Sequence, residues 1–240
     1  MKRAMWVWVP EAAPPDPVAL ARFASAQRVT DAFVSVPWGG PSADTVASAD
    51  ALRAHGVRVA ALGGVEDWTG VEAVAWMERA VAGWPFDGVH LDIEPWGRAD
   101  WAGRERELLD ALERTVHDVA ARSSLPVEVD LAPWVADEHP AAFTRIARRA
   151  NAVALMAYRD RAPDILRVSD AARRILSSSR IAYRIGVDAA PAADPRATFG
   201  DDGSAVLERE LALVAARLAA DARFAGVAVH DAQHWMALPR

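Results

Sequence analysis

The segment Val89-His90-Leu91-Asp92-Ile93-Glu94 alternates aliphatic with ionisable side chains. In extended backbone successive side chains point to opposite faces, so His90, Asp92 and Glu94 share one face and the three aliphatics the other. If the aliphatic face is packed, the ionisable face looks into an interior, where such groups are costly unless they are paired and useful. Two carboxylates and an imidazole in that position are suited to moving protons. Glu94 is followed by Pro95, which ends the strand and leaves Glu94 at its C-terminal rim. A second ladder follows in Val127-Glu128-Val129-Asp130-Leu131, where Glu128 and Asp130 also face inward. Asp130 is a candidate either for catalysis or for an ion pair with Arg184, which faces inward by the same alternation. His230 and Asp231 end a further apolar run. With His90, Asp92 and Glu94 they offer nitrogen and oxygen ligands for a divalent metal, which would make a metal-dependent hydrolase or lyase. No HxH or HExxH spacing supports that reading, so no metal or other cofactor is expected. His230 alone reads as a rim histidine bonded to a carboxylate.

These residues need a frame, and the chain supplies one. Short apolar runs alternate with longer helical patterns from end to end, the pattern of repeated βα units and a parallel sheet. The runs are Met5 to Val9, Ala32 to Trp38, Val57 to Leu62, Gly88 to Glu94, Pro126 to Ala132, Ala152 to Tyr158, Ile181 to Val187 and Gly226 to His230. Eight runs with seven intervening helices predict a closed (β/α)8 TIM barrel, an α/β fold, spanning 1–240 as one domain. Asp16-Pro17 and Thr69-Gly-Val-Glu72 are helix starts, the second a capping box. Leu207, Leu211, Val214 and Leu218 form one apolar helical stripe, and a long helix is expected over Asp100 to Arg122 with a solvated charged face. Little chain remains after the eighth run, so the final helix should be short or missing.

Composition narrows the chemistry. Against 27 basic residues stand 33 acidic ones, a net charge of −6 without a basic run, so nucleic acid is not an expected partner. The chain has no cysteine, which removes thiol nucleophiles and thiolate metal sites. Its only lysine is Lys2, beside the terminus, so Schiff-base aldolase chemistry has no amine. No stretch reaches the roughly 20 apolar residues of a membrane span, and the apolar run before Pro10 is of strand length, so the expectation is a cytoplasmic protein without a membrane partner.

The motif Asp87-Gly88-Val89-His90-Leu91-Asp92-Ile93-Glu94 resembles the strand-four signature of the chitinase-like family-18 glycoside hydrolases, Asp-Gly-aliphatic-Asp-aliphatic-Asp-aliphatic-Glu. Seven of its eight positions agree, with His90 in place of the second Asp. Met156-Ala-Tyr158 is similar to the family's Met-x-Tyr-Asp, although Arg159 stands at the Asp position and Asp160 comes one residue late. Trp235 is a weaker match to the tryptophan that floors the family's sugar pocket. The resemblance implies a carbohydrate substrate, with Glu94 as general acid and then base. Asp92 would orient a 2-acetamido group whose carbonyl acts as nucleophile, and Tyr158 would bond the acetamido oxygen. Spacing is compatible with this, because Asp92 and Glu94 lie about 6 to 7 Å apart at the backbone on one side and cannot flank a glycosidic bond.

His90 is the main departure, since a charged imidazole would hold Asp92 ionised and put its acetamido role in question. Hydrolysis could then use Glu94 with Asp130. A carbohydrate-binding protein that has lost turnover is the alternative that His90 and Arg159 raise. Of ten tryptophans, Trp38, Trp96, Trp134 and Trp235 each follow a strand end, where indoles can stack on sugar rings or pack loops. Trp6 and Trp8 are read as core or inner lining. Because Asp188 to Gly203 is only a loop, a shallow site for a short substrate is expected.

Overall fold

Period-two alternation in the apolar runs becomes eight parallel strands that close in sequence order, each paired with its neighbours and β1 with β8. The structure is a computed structural model and describes residues 2–239. The strands are β1 (Arg3–Val7), β2 (Asp31–Ser35), β3 (Arg58–Gly63), β4 (Gly88–Leu91), β5 (Val127–Leu131), β6 (Ala152–Met156), β7 (Ala182–Asp188) and β8 (Phe224–His230). The helices are α1 (Pro17–Ala26), α2 (Ala43–Ala54), α3 (Gly70–Gly83), α4 (Glu105–Arg122), α5 (Trp134–Glu138), α6 (Pro140–Ala147), α7 (Ala162–Val168), α8 (Asp170–Ser178), α9 (Ser204–Leu218) and α10 (Ala232–Ala237). The expected (β/α)8 architecture is present, and its last helix is short.

Local sequence accounts for these limits. Asp16 accepts from the Ala19 N–H ahead of Pro17, and Thr69 and Glu72 exchange the reciprocal bonds of a capping box; each such cap contributes about 1 kcal/mol. The long helix α4 starts five residues later than its charge pattern suggested. Asp100 is tied up by Arg98 and Arg104, and Gly103 adopts φ +85°, so the chain turns before the helix begins. The connections after β5 and β6 each contain two helices where one was expected. Between α5 and α6 the cause is Pro140, which holds His139 out of the helical region (φ −132°, ψ 55°).

Two apolar assemblies result. The large one lies between sheet and helices and includes Val89, Leu91 and Ile93 on the outer face of β4 and the stripe Leu207, Leu211, Val214 and Leu218 of α9. The small one fills the barrel axis with Ala4, Trp6, Phe33, Leu62, Ala154 and Ala228. Trp6 is 1% exposed, and its ring lies where Gly186 leaves space, since a Cβ there would come within 3.0 Å of it. Among the described residues no helix is long and apolar enough to cross a membrane.

Candidate active site

Ionisable residues line the barrel axis at three heights. At the N-terminal end Arg184 bonds Glu128 at 3.0 Å and lies 3.4 Å from Asp31, the first residue of β2, which Arg58 also pairs. Arg184 therefore sits at the end of the barrel away from Glu94, and the sequence-based pairing with Asp130 does not form. The long guanidinium stem carries its charge down to the strand starts, where two carboxylates await it.

The middle height holds His90, Asp130 and Trp6. His90 and Asp130 are both 0% exposed, with His90 Nε2 2.9 Å from Asp130 Oδ2. The Trp6 indole N–H donates to that same oxygen at 3.0 Å. The imidazole also stacks on Phe33, with centroids 3.7 Å apart. Burial pulls the His90 pKa down to about 4, against the raising influence of Glu128 and Asp92. Burial also pushes Asp130 well above the usual carboxylate range, although the Trp6 bond opposes it. Both directions describe a neutral imidazole beside a carboxylic acid. The charged His90 considered from sequence is thus disfavoured, because nothing at this depth solvates an imidazolium. Asp130 is closed in by Trp6 and His90, so it touches the site from beneath.

The rim height carries Asp92, Glu94, Tyr158, Asp188, His230 and Trp8. Strand pairing of β4 stops at Leu91, but Asp92 N still bonds Gly63 O at 3.0 Å, so the alternation continues and Ile93 stays in the outer core. Gly64 permits this course: a Cβ there would lie 2.0 Å from the Asp92 carbonyl oxygen. Gly63 gives way to the Trp76 ring, so this glycine pair serves packing. Among the described residues Asp92 Oδ1, Asp130 Oδ1 and His90 Nδ1 are buried without a hydrogen-bond partner. Burial first, then the charges of Asp130 and Glu94, raises the Asp92 pKa well above its ordinary value. Neighbouring carboxylates of this kind resist joint ionisation, and one proton is retained between them.

Glu94 Oε2 accepts from the Trp96 indole N–H at 2.7 Å. Tyr158 lies half-buried above His230, with ring centroids 6.0 Å apart, and burial raises its phenol pKa well above 10. His230 is held at both nitrogens: Nε2 accepts from the Trp8 indole at 3.0 Å and Nδ1 lies 3.0 Å from Asp188 Oδ1. Burial lowers its pKa, but the bond to Asp188 and the charges of Asp188, Asp231 and Asp92 outweigh that and raise it. Asp231 turns away to cap α10, accepting from His234 N. No group of three or more His, Asp and Glu converges as a metal-ligand set among the described residues; His90 Nε2 and both ring nitrogens of His230 instead face protein partners.

The tryptophans divide. Trp96 and Trp134 pack edge-to-face at 5.9 Å beside Glu94, with Trp101 against both. Trp38 is 50% exposed but lies under the Arg79 guanidinium of α3, at 4.2 Å. Trp235 is buried against Phe23 of α1, behind the barrel wall, so it does not floor a pocket. Its place in α10, rather than in a loop over the mouth, turns it outward. Arg159 bonds the carbonyl of Tyr158, and Asp160 pairs weakly with Arg161, so neither reproduces the family's strand-six Asp. Sequence reasoning passed over Asp188 and treated Trp8 only as lining. The alternation Arg184-Gly186-Asp188 would have placed Asp188 inward at the end of β7.

Solved structures share this fold. The glycoside hydrolase domain of PgaB (BpsB) from Bordetella bronchiseptica superposes with a TM-score of 0.66 at 14% identity, over 98% of this chain and 95% of that one. A GH18 chitinase from Pseudoalteromonas aurantia gives 0.66 at 10% identity, over 99% and 98%. An endo-beta-N-acetylglucosaminidase from Cordyceps militaris gives 0.62 at 15% identity, over 95% and 80%. Barrels described as aldolases are also similar, so likeness at this level of identity defines the fold. No family model and no curated protein matches the chain. The fold is thus a (β/α)8 barrel, similar to those of family-18 chitinases.

Proposed function

We propose that this protein hydrolyses a glycosidic bond of an N-acetylhexosamine-containing sugar, with Glu94 as general acid and base and Asp92 as the assisting carboxylate. The observation that carries this reading is the pair at the end of β4: Asp92 keeps a buried, unpartnered oxygen, and Glu94 has one oxygen without a partner at the rim. Two carboxylates on the same strand end approach a sugar from one side, which suits a reaction whose nucleophile comes from the substrate itself.

In that reaction Glu94 gives its proton to the glycosidic oxygen as the bond to the anomeric carbon breaks. The acetamido carbonyl oxygen bonds the same carbon, and Asp92 accepts the hydrogen bond of the acetamido N–H as positive charge develops there. Asp92 Oδ1, without a partner among the described residues, is the oxygen free to take that bond. Tyr158 donates to the acetamido oxygen. Water then displaces the acetamido oxygen from the anomeric carbon, returning the acetamide, while Glu94 takes the water's proton, which restores the enzyme. His90 and Asp130 act from beneath, without contact with the sugar. Similarity to the chitinase and the endo-beta-N-acetylglucosaminidase supports a carbohydrate substrate.

The test is Glu94→Gln assayed on an activated N-acetylhexosaminide. Hydrolysis should be abolished in the variant, and glycosides without the acetamido group should resist the wild type. Sugar binding by the wild type with no turnover would instead make this a binding protein.

A further inference from the structure

Glu94 is unusual in the rim cluster because its partner comes from its own chain two residues on, in the short 3-10 turn Pro95–Gly97. Pro95 fixes the entry to the turn, and Gly97 N closes it on Glu94 O at 2.9 Å. The Trp96 ring is held in place by Trp134 at 5.9 Å and Trp101 at 6.5 Å, both edge-on, and these two pack on each other at 5.9 Å. A ring wedged in this way cannot turn its N–H elsewhere without breaking its two aromatic contacts, to Trp101 and Trp134. The bond it makes, 2.7 Å to Oε2, is at the short end of the N–H···O range. Oε1 has no partner among the described residues and is not closed off from solvent.

We propose that Trp96 is a positioning residue rather than a sugar-stacking one: it holds Glu94 by Oε2, so that Oε1 is the oxygen that delivers and recovers the catalytic proton. The inference rests on the glycosidase reading above. It gives the aromatic wall of Trp96, Trp101 and Trp134 a specific task, which is to stop the Glu94 side chain from rotating away from the bond it must protonate. A flexible acid on a rim turn would visit productive geometry only part of the time, and misplacement by about 1 Å costs on the order of 100-fold in rate.

The discriminating variant is Trp96→Phe, which keeps a ring in the wedge and removes the N–H. Leaving-group dependence separates positioning from general damage. A dinitrophenyl glycoside departs without proton help, whereas an alkyl or sugar leaving group needs the acid. The variant should lose on the order of tenfold or more in kcat on the poor leaving group, little on the activated one, and leave KM unchanged on both. Equal losses on both substrates overturn the inference while leaving Glu94 as the acid. An arm that needs no turnover uses the Trp96 indole N–H resonance, identified by its absence in Trp96→Phe. It should move strongly in Glu94→Gln. An indole resonance indifferent to that substitution overturns the inference, whatever the activity. If the resonance responds but the wild type cleaves no glycoside, the hydrogen bond stands and the glycosidase reading falls.

Discussion

Replacing His90 by Asn tests the buried centre of the barrel, because Asn cannot titrate. His90 is fully enclosed, and burial draws its pKa from the ordinary 6.5 to about 4. A histidine kept neutral in the fold but free to charge when unfolded contributes stability that is complete above pH 6.5. That contribution is lost as pH falls towards 4. Each pH unit across the window is worth about 1.4 kcal/mol, so the loss sums to about 3 kcal/mol. Asp92 and Asp130 act with the opposite sign. Their raised pKa values contribute stability that is full at low pH and lost as pH rises through the folded values, so acidification strengthens them. The His90 effect must therefore be read as a difference between proteins. Urea unfolding of wild type and His90→Asn at a series of pH values from 7 to 4 supplies it. The stability of the wild type relative to the variant should fall by about 3 kcal/mol across the series. A difference that does not change with pH would mean that the fold does not lower the His90 pKa, and a wild type that gains relative stability on acidification would mean that His90 is charged in the fold; either result would make the neutral His90–Asp130 pair wrong.

Further expectations concern other parts of the axis. Arg184→Met leaves the half-buried Glu128 without its cation and Asp31 with Arg58 alone, and should cost about 3 kcal/mol in urea unfolding. Because Arg184 lies at the end of the barrel away from Glu94, turnover by the folded variant should be unchanged; a selective loss of kcat with stability intact would put Arg184 at the site after all. Gly64→Ala places a Cβ 2.0 Å from the Asp92 carbonyl oxygen. Thermal unfolding should show a loss of about 2 kcal/mol or more, with activity falling as the end of β4 is displaced. A variant as stable and active as wild type would contradict the close approach.

Alternation in the sequence assigned faces well. His90, Asp92, Glu94, Glu128, Asp130 and Arg184 all point to the barrel axis, and Val89, Leu91 and Ile93 point to the helices. Height along the axis was not legible in the same way. Asp130 and Arg184 both read as inward, yet one reaches up to Trp6 and His90 and the other down to Glu128 and Asp31, because the length of the side chain and the stagger of tilted strands decide depth. Trp235 shows the converse limit. Its position after β8 fitted a pocket floor, but the helical turn around it directs the ring to Phe23. The neutral state of His90 also lay beyond sequence, since it depends on enclosure by Phe33 and Trp6 from other strands.

If Glu94 is the acid of a glycosidic bond cleavage, a crystal structure of Glu94→Gln with a bound N-acetylhexosamine oligosaccharide should show the side chain at position 94 within about 3 Å of a glycosidic oxygen. The acetamido group of the same sugar should lie between Asp92 and Tyr158. An oligosaccharide seated elsewhere, or one whose glycosidic oxygens all lie beyond reach of position 94, would contradict it.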